Sequence, residues 1–352
     1  MKGGSVTLNK SVTVTDSLTS WNTRTSGTTK DLCAIASNST HVVAAGDDGV
    51  ILRSADGSSW NDVSPPDFIS NIKFNDVIWT GSEFVAVGQD FHSTVDSVHR
   101  WEGVIYTSPT GETWTRSYES NLPDTELNGI AYDGSSTFVA VGQSATILRK
   151  SDEDAWEAIT NTTILASHVL QDIAYGGGSF VLVGHATSPT TYNGDVEVRS
   201  STDGSTWTDY SANTGLESWQ DFSEIEYLEG AFHAGVFYGR ARRSTDGGQT
   251  WSTTQDGDRY QIDGVASISG VYFAVGHNND EPDDSEAPDI DTDLISSDGI
   301  SWIASVPGVL PDRNEIAAFK GTFISVGDTG SIRQSGSVTA SANFGDFTAT
   351  YF

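Results

Sequence analysis

The chain has 352 residues and a formal net charge of −30, because 18 Lys and Arg stand against 48 Asp and Glu. This charge repels phosphate backbones and anionic lipids, and no run approaches the ~18 apolar residues of a membrane span, so the composition argues against nucleic-acid binding and membrane insertion. With 36% hydrophobic residues the chain can build a packed core, whereas its single cysteine, Cys33, excludes an internal disulfide.

The N-terminal segment, residues 1–17, alternates apolar and polar residues and is predicted to be a β extension. It lacks the apolar stretch of a secretion signal, so we expect no export by that route. The next segment, centred on Trp21, has the form of an outermost strand of a four-stranded unit.

A four-strand pattern then recurs seven times along the chain. Its first strand carries an Ile or Val at a fixed position, namely Ile35, Val77, Ile130, Ile173, Ile225, Val265 and Ile316. Its second strand is β-branched and aromatic and ends on Gly, as in FVAVG over residues 84–88, and the fifth copy diverges to FHAGVFYG over residues 232–239. Four short strands at this spacing, separated by turn signals, are typical of the blades of a β-propeller.

The third strand leads into a turn rich in Asp and Gly that ends at a Trp, as in STDGSTW over residues 201–207. In such a turn Asp accepts a hydrogen bond from the backbone two residues on, Gly supplies a positive φ, and Trp packs between neighbouring sheets. The residues predicted to have these structural roles are Asp56, Gly57, Trp60, Gly111, Trp114, Trp156, Asp203, Gly204, Trp207, Asp246, Gly247, Trp251, Asp298, Gly299 and Trp302.

Six of these turns serve seven innermost strands, so one outermost strand is missing at the end of the pattern. We expect the segment around Trp21 to supply it by pairing with residues 313–335, which closes the ring and leaves no open sheet edge. The predicted fold is therefore all-β: a seven-bladed β-propeller of four-stranded antiparallel blades over residues 18–336, with the last blade closed by an N-terminal strand.

The S-x-D-G-x-x-W turn after a glycine-closed strand resembles the turn of Asp-box β-propellers, the bacterial neuraminidase repeat family, over roughly residues 18–336. The resemblance implies the propeller fold and a family that includes sialidases, other glycan-active proteins and photosystem assembly factors. Two copies depart from the motif: SDEDAW over residues 151–156 lacks the Gly, and the seventh copy ends in QSGS. Both still fit the strand register.

One face of such a propeller carries the connections into the innermost strands and those between the second and third strands; we call it the loop-rich face. Its second-to-third connections are long in copies two, four and six. Because loops on a rigid scaffold often hold binding residues, this face is the predicted contact surface, although the insertions are equally consistent with tolerated, solvated loops. The candidate binding residues on it are His99, Arg100, Trp101, His185, Tyr192 and His277.

A second repeated position directly precedes the Ile/Val column. It places four carboxylates near the mouth of the central channel, those of Asp76, Asp172, Glu224 and Glu315. Such a negative funnel attracts cations or polyhydroxylated ligands. The alternative is a solvated acidic rim that binds no ligand.

The sixth insertion, residues 278–293, contains eight acidic residues, and Asp289, Asp291 and Asp293 alternate as calcium-loop ligands do. The Gly and the terminal Glu of an EF-hand loop are missing, so an acidic loop without a metal is the favoured interpretation. No other cofactor is predicted, because the sequence contains no P-loop, nucleotide fingerprint or convincing catalytic triad.

Sialidase activity, as the resemblance implies it, requires an arginine triad that grips a carboxylate, a Tyr with a neighbouring Glu as nucleophile, and an acidic Asp. The arginines at hand are Arg53, Arg149, Arg199, Arg242, Arg243 and Arg333. All are expected on third strands, just before the turns and away from the negative funnel. The N-terminal Arg-Ile-Pro signature of many sialidases is absent as well, so we predict a protein that is not an enzyme.

The C-terminal segment, residues 337–352, is predicted to be a second β extension outside the ring. Its aromatic residues are too apolar for a frayed end, so they are expected either to cap the last blade or to dock another subunit. They are Phe344, Phe347, Tyr351 and Phe352.

Together these features favour a non-enzymatic structural or recognition protein. An acidic, Lys-poor propeller without a secretion signal suits a phage particle, which assembles in the cytoplasm and leaves by lysis. Its terminal β extensions would contact other virion proteins, and its loop-rich face would meet solvent or a host glycan. The alternatives are a bacterial surface or assembly-scaffold propeller that binds protein partners, and a sialidase-like glycoside hydrolase.

Overall fold

The computed structural model describes residues 21–65, 71–93, 99–120, 122, 124–151, 154–160, 164–186, 196–216, 220–237, 240–255, 260–278, 293–304 and 313–338. Within them lie 28 strands, arranged in seven four-stranded antiparallel sheets. The described helical segments are three-residue 3-10 turns, and none of them is long and apolar enough to cross a membrane. The predicted seven-bladed propeller is confirmed.

The first strand, β1 (Trp21–Arg24), belongs to the last blade. Blade 1 consists of β2 (Leu32–Ser37), β3 (Val42–Gly46), β4 (Ile51–Ser54) and β5 (Asn61–Asp62). Blade 2 consists of β6 (Ile72–Trp79), β7 (Phe84–Ser93), β8 (His99–Ser108) and β9 (Thr115–Glu119). Blade 3 consists of β10 (Leu127–Tyr132), β11 (Thr137–Gly142), β12 (Ile147–Ser151) and β13 (Glu157–Ala158).

The remaining blades repeat this order. Blade 4 consists of β14 (His168–Gly176), β15 (Ser179–Ala186), β16 (Val196–Ser201) and β17 (Thr208–Asp209). Blade 5 consists of β18 (Phe222–Leu228), β19 (Ala231–Val236), β20 (Arg240–Ser244) and β21 (Ser252–Gln255). Blade 6 consists of β22 (Tyr260–Ile268), β23 (Val271–Asn278), β24 (Leu294–Ser296) and β25 (Trp302–Ala304). Blade 7 consists of β26 (Arg313–Phe319), β27 (Thr322–Gly327), β28 (Ser331–Ser335) and β1.

The N-terminal strand closes the ring. β1 pairs antiparallel with β28, with Trp21 opposite Ser335 and Arg24 opposite Ile332. The ring centroid of Trp21 lies 5.0 Å from that of Phe273 in blade 6. The predicted closure by an N-terminal strand is therefore confirmed, and blade 7 joins the two ends of the described chain.

The hydrophobic core is divided into clusters that lie between neighbouring blades. Each cluster holds one of the seven outer-strand Trp residues: Trp60 between blades 7 and 1, Trp114 between 1 and 2, Trp156 between 2 and 3, Trp207 between 3 and 4, Trp251 between 4 and 5, Trp302 between 5 and 6, and Trp21 between 6 and 7. Trp79 also packs against the cluster between blades 1 and 2. A large indole can fill the wedge between two diverging sheets, so these side chains contribute to every contact between blades.

The Asp-Gly turns are held by short-range hydrogen bonds. In blade 1, Asp56 Oδ1 accepts hydrogen bonds from the N–H groups of Ser59 and Ser58, each at 2.8 Å, and Ser54 Oγ accepts one from Gly57 N at 2.8 Å. The two backbone N–H donors hold the pKa of Asp56 well below its ordinary value. The same pattern recurs at Asp203 with Gly204 and at Asp298 with Gly299.

The turn of blade 5 has one residue more, and this shifts its register. Gly248 N, rather than the N–H of Gly247, donates to Ser244 Oγ, at 3.0 Å. A β-carbon at Gly248 would lie 2.8 Å from Val181 Cγ1 of blade 4, so this glycine also makes the contact with the preceding blade. Gly247 has the predicted positive φ, whereas the hydrogen bond to the serine is made by Gly248.

Six second strands carry a glycine at the predicted place; the strand ends there in blades 1, 3 and 7 and continues past it in blades 2, 4 and 6. In blades 1, 2, 3, 4 and 6 a close approach of the backbone requires this glycine. A β-carbon at Gly142 would lie 1.8 Å from Glu126 O, although the backbone of Gly142 itself is extended, with φ −178°. In blade 5 the corresponding position, opposite Phe222, is occupied by Val236. The divergent fifth copy therefore ends its second strand on a valine.

The two predicted extensions lie largely outside the described residues, as do Phe344, Phe347, Tyr351 and Phe352. Val338 is described: its N–H donates to Gly321 O at 2.7 Å, and its side chain packs against the cluster between blades 6 and 7. The boundaries of the extensions stay a prediction.

Candidate functional site

The innermost strands enclose a central channel of about 580 Å³. Its acidic lining residues are Asp76, Asp172, Glu224, Glu226, Asp263 and Glu315. None of the lining residues in the described part of the chain is Lys or Arg. The structure thus brings the four predicted carboxylates together around one cavity and adds two more.

Asp76 and Asp172 connect neighbouring blades. Asp76 Oδ2 accepts a hydrogen bond from Ile130 N of blade 3 at 2.9 Å, and Asp172 Oδ2 accepts one from Ile225 N of blade 5 at 2.8 Å. Desolvation raises the pKa of Asp76 to about 6; desolvation and the charge of Asp76 raise the pKa of Asp172 well above its ordinary value. Both side chains keep part of their surface open to the channel, so water there screens some of the repulsion.

Two glycines make room for these carboxylates. Gly129 and Gly264 occupy the carboxylate position in blades 3 and 6. A β-carbon at Gly129 would lie 2.4 Å from Asp172 Oδ1, and one at Gly264 would lie 2.4 Å from Glu315 Oε1. The carboxylates of blades 4 and 7 therefore lean over the neighbouring blade, into space that a side chain would otherwise fill.

Glu224 and Glu226 extend the acidic lining along β18. Glu224 is 5% exposed, and its Oε1 has no hydrogen-bond partner among the described residues. Desolvation, followed by the charge of Glu226, raises the pKa of Glu224 well above its ordinary value. Desolvation and the charge of Asp76 raise the pKa of Glu226 to about 8. Blade 5 thus contributes two carboxyl groups whose ionisation is disfavoured by burial and by their acidic neighbours.

Glu226 is a site residue that the sequence-based predictions missed, although the repeat contains a signal for it. The corresponding position in the other blades holds Ala36, Ile78, Ala131, Ala174, Ala266 and Ala317. At this position one blade has a carboxylate and the other six have small or apolar side chains. An alignment of the seven blades, position by position, reveals this difference.

Every innermost strand has a β-bulge just before the carboxylate position, and the bulge residues are Cys33, Asn75, Asn128, Gln171, Ser223, Asp263 and Asn314. Four of them donate to a backbone carbonyl of the next blade: Asn75 to Leu127 at 2.8 Å, Asn128 to Leu170 at 2.9 Å, Ser223 to Ile262 at 2.6 Å, and Asn314 to Leu32 at 3.1 Å. Bulges re-aim side chains, and here they tie the blades together around the channel.

Aromatic rings line the channel further along the same strands, at Trp79, Tyr132, Tyr175 and Tyr227. Each packs on a Phe of its own blade, as Trp79 does on Phe84 with centroids 4.7 Å apart and Tyr227 on Phe232 with centroids 4.9 Å apart. The channel therefore presents carboxylates together with aromatic rings.

A second, smaller cavity lies on the loop-rich face between blades 1 and 2, with a volume of about 210 Å³. We call it the Trp101 groove. Trp101 in β8 and Phe91 in β7 contact each other with ring centroids 4.6 Å apart. The polar groups that line the groove belong to Asp47, Asp48, Asn71, Lys73 and Gln89. His99 and Arg100 precede Trp101 on β8, but their side chains lie outside the described part of the structure.

The other candidates on the loop-rich face are distributed around the ring. His185 and His277 lie at corresponding places in blades 4 and 6, and Tyr192 lies outside the described residues. His185 and His277 therefore lie in different blades from Trp101, which is in blade 2. Nowhere in the described ranges do three or more His, Cys, Asp or Glu side chains form a group that could hold a metal ion.

Asp293, one of the three proposed calcium ligands, is buried in an ion pair. Its Oδ2 lies 2.8 Å from Arg313 Nη1, and its Oδ1 contacts Arg313 Nη2. Both side chains are almost fully buried. The carboxylate is therefore already bound by a guanidinium within the propeller, while Asp289 and Asp291 lie outside the described residues, and calcium binding by the loop stays untested.

The third-strand arginines contact neighbouring turns. Arg53 Nε donates to Thr110 O at 3.0 Å, and Arg149 Nε donates to Asp203 O at 2.8 Å, in each case in the turn of the following blade. Arg199 instead pairs with Glu197 and Asp209 of its own blade. The contacts of Arg53 and Arg149 hold neighbouring blades together, and none of these three arginines lines the channel.

No family model and no curated protein sequence matches the chain. Among solved structures it is similar to YCF48 bound to D1 peptide, with 14% identity and a TM-score of 0.66 over 93% of this chain and 100% of that one. It is also similar to YCF48 from Cyanidioschyzon merolae, with 16% identity and a TM-score of 0.60 over 90% and 98% of the two chains. The RRP9 WD40 repeats match with 9% identity and a TM-score of 0.63 over 94% and 100%. At these identities the likeness shows the fold alone: the chain is a seven-bladed β-propeller, and its membership of the Asp-box family stays a prediction.

Proposed function

We propose that this chain is a non-catalytic recognition propeller that binds a glycan in the Trp101 groove of its loop-rich face. The observation that carries the proposal is the composition of that groove, in which the Phe91–Trp101 pair stands beside several hydrogen-bonding side chains. The bulge and turn contacts between blades make the ring beneath it a rigid support.

The groove offers both kinds of contact that a sugar uses. The C–H face of a sugar ring packs on an aromatic ring such as that of Trp101, while its hydroxyl groups bond to carboxylates, amides and ammonium groups. Asp47 and Lys73 provide such groups and are already oriented, because Lys73 Nζ lies 3.2 Å from Asp47 Oδ1. A neutral polyhydroxylated ligand also escapes the repulsion that the charge of −30 imposes on anions.

The arginine contacts support a role without catalysis. A triad that grips a substrate carboxylate needs guanidinium groups that converge on one cavity. Arg53 and Arg149 are bound instead to backbone carbonyls of neighbouring blades, and Arg199 to carboxylates of its own blade. Arg53 and Arg149 therefore join neighbouring blades, and Arg199 forms ion pairs within blade 4.

The location we propose is the surface of a virion, with the terminal β extensions bound to other virion proteins. The acidic, Lys-poor composition supports this proposal. Mass spectrometry of purified particles should find the chain among capsid or tail proteins. Its recovery from the surface of uninfected cells would overturn the location.

A second candidate function is supported by one comparison, the likeness to YCF48 bound to D1 peptide. On this alternative the chain is an assembly scaffold, and its loop-rich face binds a segment of another protein. The two candidates differ in their ligand, so one set of binding measurements separates them.

A glycan array probed with the purified propeller tests the proposal. We expect binding to a defined set of neutral glycans and its loss in Trp101→Ala, because the stacking surface is removed. The matched control is Leu165→Ala, which removes an exposed apolar side chain from another part of the described surface, 65% exposed, and should leave binding unchanged. Equal binding by Trp101→Ala, or binding only to protein segments, would contradict the glycan proposal.

A further inference from the structure

We infer that the central channel is a binding site for an organic cation that carries two or more alkylammonium groups, held by Asp76, Glu224, Glu226 and Glu315. This site is separate from the Trp101 groove and does not depend on what that groove binds. The ligand chemistry is that of a polyamine or of neighbouring lysine side chains on a flexible peptide.

The lining of the channel is strongly acidic. Six acidic side chains face one cavity of about 580 Å³, and the described lining contains no Lys or Arg. Carboxylates confined together oppose each other's ionisation unless a cation stands between them. A bound ammonium ion would remove that repulsion and would be attracted by several charges at once.

Glu224 has a buried carboxylate oxygen without a hydrogen-bond donor among the described residues. A buried carboxylate normally has hydrogen-bond donors on its oxygens, since an unsatisfied charged group in the interior is costly. Glu224 is 5% exposed and lines the channel, yet its Oε1 has no donor within the described structure. The charges of Glu226 and Asp172 act on it, which places its carboxyl group beside the channel cluster. An ammonium group supplies three N–H donors and would satisfy this oxygen.

Glu226 is the one acidic residue at its position among the seven blades. Five other blades hold Ala and one holds Ile at this place, so the ring does not need a carboxylate there in order to close. The side chain adds an acidic group to a cavity that is already acidic, and its ionisation therefore works against folding. A residue that breaks a local rule without stabilising the fold is expected at a functional site.

The geometry favours an extended organic cation over a metal ion. A single metal ion requires its ligands to converge, and the described acidic side chains form no such group. Asp172 and Asp76 already accept backbone hydrogen bonds, so each has limited capacity left for a metal. Separated carboxylates suit a ligand whose positive charges are separated as well. The rings of Trp79 and Tyr227 lie along the same channel and can add cation–π attraction.

Calorimetric titration of the whole chain with spermidine, and separately with tetralysine, tests the inference at about 20 mM and about 150 mM salt. We expect saturable one-to-one binding of at least one of them. Glu226→Ala should weaken it about tenfold or more, because it removes a charge that the cation contacts. Binding of both probes would indicate that the mouth admits a peptide, and binding of spermidine alone would indicate a free polyamine.

Glu157→Gln is the matched control, because it removes one negative charge from the outermost strand β13, where the side chain is exposed. It should change the affinity less than twofold. Glu224→Gln is the second channel variant and should weaken binding as Glu226→Ala does. Equal losses in Glu157→Gln and Glu226→Ala would show that the cation responds to net charge only. Displacement of spermidine by equimolar calcium would show a metal site. Either result, or no saturable binding of either probe, overturns the inference.

Discussion

At the scale of single residues, Glu226 links the channel to the stability of the fold. Its pKa is raised from an ordinary 4.5 to about 8, first by desolvation and then by the charge of Asp76. The folded protein therefore holds this proton over a range of pH in which the unfolded chain releases it. Stability falls as pH rises wherever the folded state binds more protons, so this group destabilises the fold between about pH 4.5 and pH 8.

We predict that Glu226→Ala stabilises the protein at pH 8 and has almost no effect at pH 4.5. The expected rise in Tm at pH 8 is ~2 to 4 °C, corresponding to about 1 to 2 kcal/mol once screening by channel water is allowed for. Thermal unfolding followed by circular dichroism at the two pH values measures it. Glu157→Gln, on the outer strand, should show no such pH dependence.

The other titratable groups near Glu226 determine how much pH dependence of stability remains in Glu226→Ala. Asp76 also has a raised pKa, of about 6, and the pKa values of Glu224 and Glu315 are raised well above the ordinary value, so stability should still fall with pH but less steeply. His233, opposite Glu226 on β19, has a pKa lowered to about 4 by desolvation and is neutral in this range. A stability profile that is identical in the variant and the parent would contradict the role of Glu226.

At the scale of strands and turns, the second-strand glycine shows how a repeated residue type can have a purely steric cause. Gly142 has an extended backbone, yet a β-carbon there would lie 1.8 Å from Glu126 O. The obstacle is backbone, which cannot swing aside as the end of a side chain can. The bulge in β10 follows this carbonyl in the chain, between Leu127 and Gly129.

We predict that Gly142→Ala lowers the free energy of unfolding by about 3 kcal/mol or more, because a strand must shift to relieve the overlap. The control is Gly134→Ala: Gly134 has a φ of 78° but open space around it, so only the conformational cost of about 1 kcal/mol is expected. Urea unfolding of both variants measures the difference. Equal losses would mean that the approach of Glu126 O is relieved without cost.

The same scale shows what the sequence could and could not predict. The period, the Trp positions and the closing strand follow from residue types that recur in register, and the structure has them as expected. The exact residue in a lengthened turn does not follow, since Gly247 and Gly248 both have a positive φ, and only the hydrogen bond to Ser244 and the packing against Val181 distinguish them. Comparison of the seven repeats marks Glu226 as an exception. Its place in the channel beside the charge of Asp76, like the lean of Asp172 over Gly129, depends on contacts between blades, which the repeat pattern does not contain.

At the scale of the whole molecule, the ring is held by contacts between segments that are far apart in sequence, both within blade 7 and between blades 7 and 1. Arg24 Nε donates to Gln334 Oε1 at 3.1 Å, and Asn314 of blade 7 bonds to Leu32 O of blade 1. The first described strand and the last are thus neighbours. Cooperative unfolding of all seven blades is expected, because loss of blade 7 also exposes the faces of blades 1 and 6.

A pair of truncations tests this closure. Removal of residues 1–25 deletes β1, exposes the edge of β28 and takes Trp21 from the cluster between blades 6 and 7. We expect Tm to fall by about 10 °C or more, with association of chains through the open strand edge, since the half-buried Trp21 loses its packing and β28 loses its strand partner. Removal of residues 1–17 alone should leave both Tm and the scattering mass unchanged, because the closing strand is retained. Thermal unfolding and light scattering of the two proteins distinguish the outcomes. If the shorter truncation were as damaging as the longer one, the predicted N-terminal extension would be part of the ring. If the protein without residues 1–25 kept its Tm and scattering mass, the propeller would not depend on its N-terminal strand.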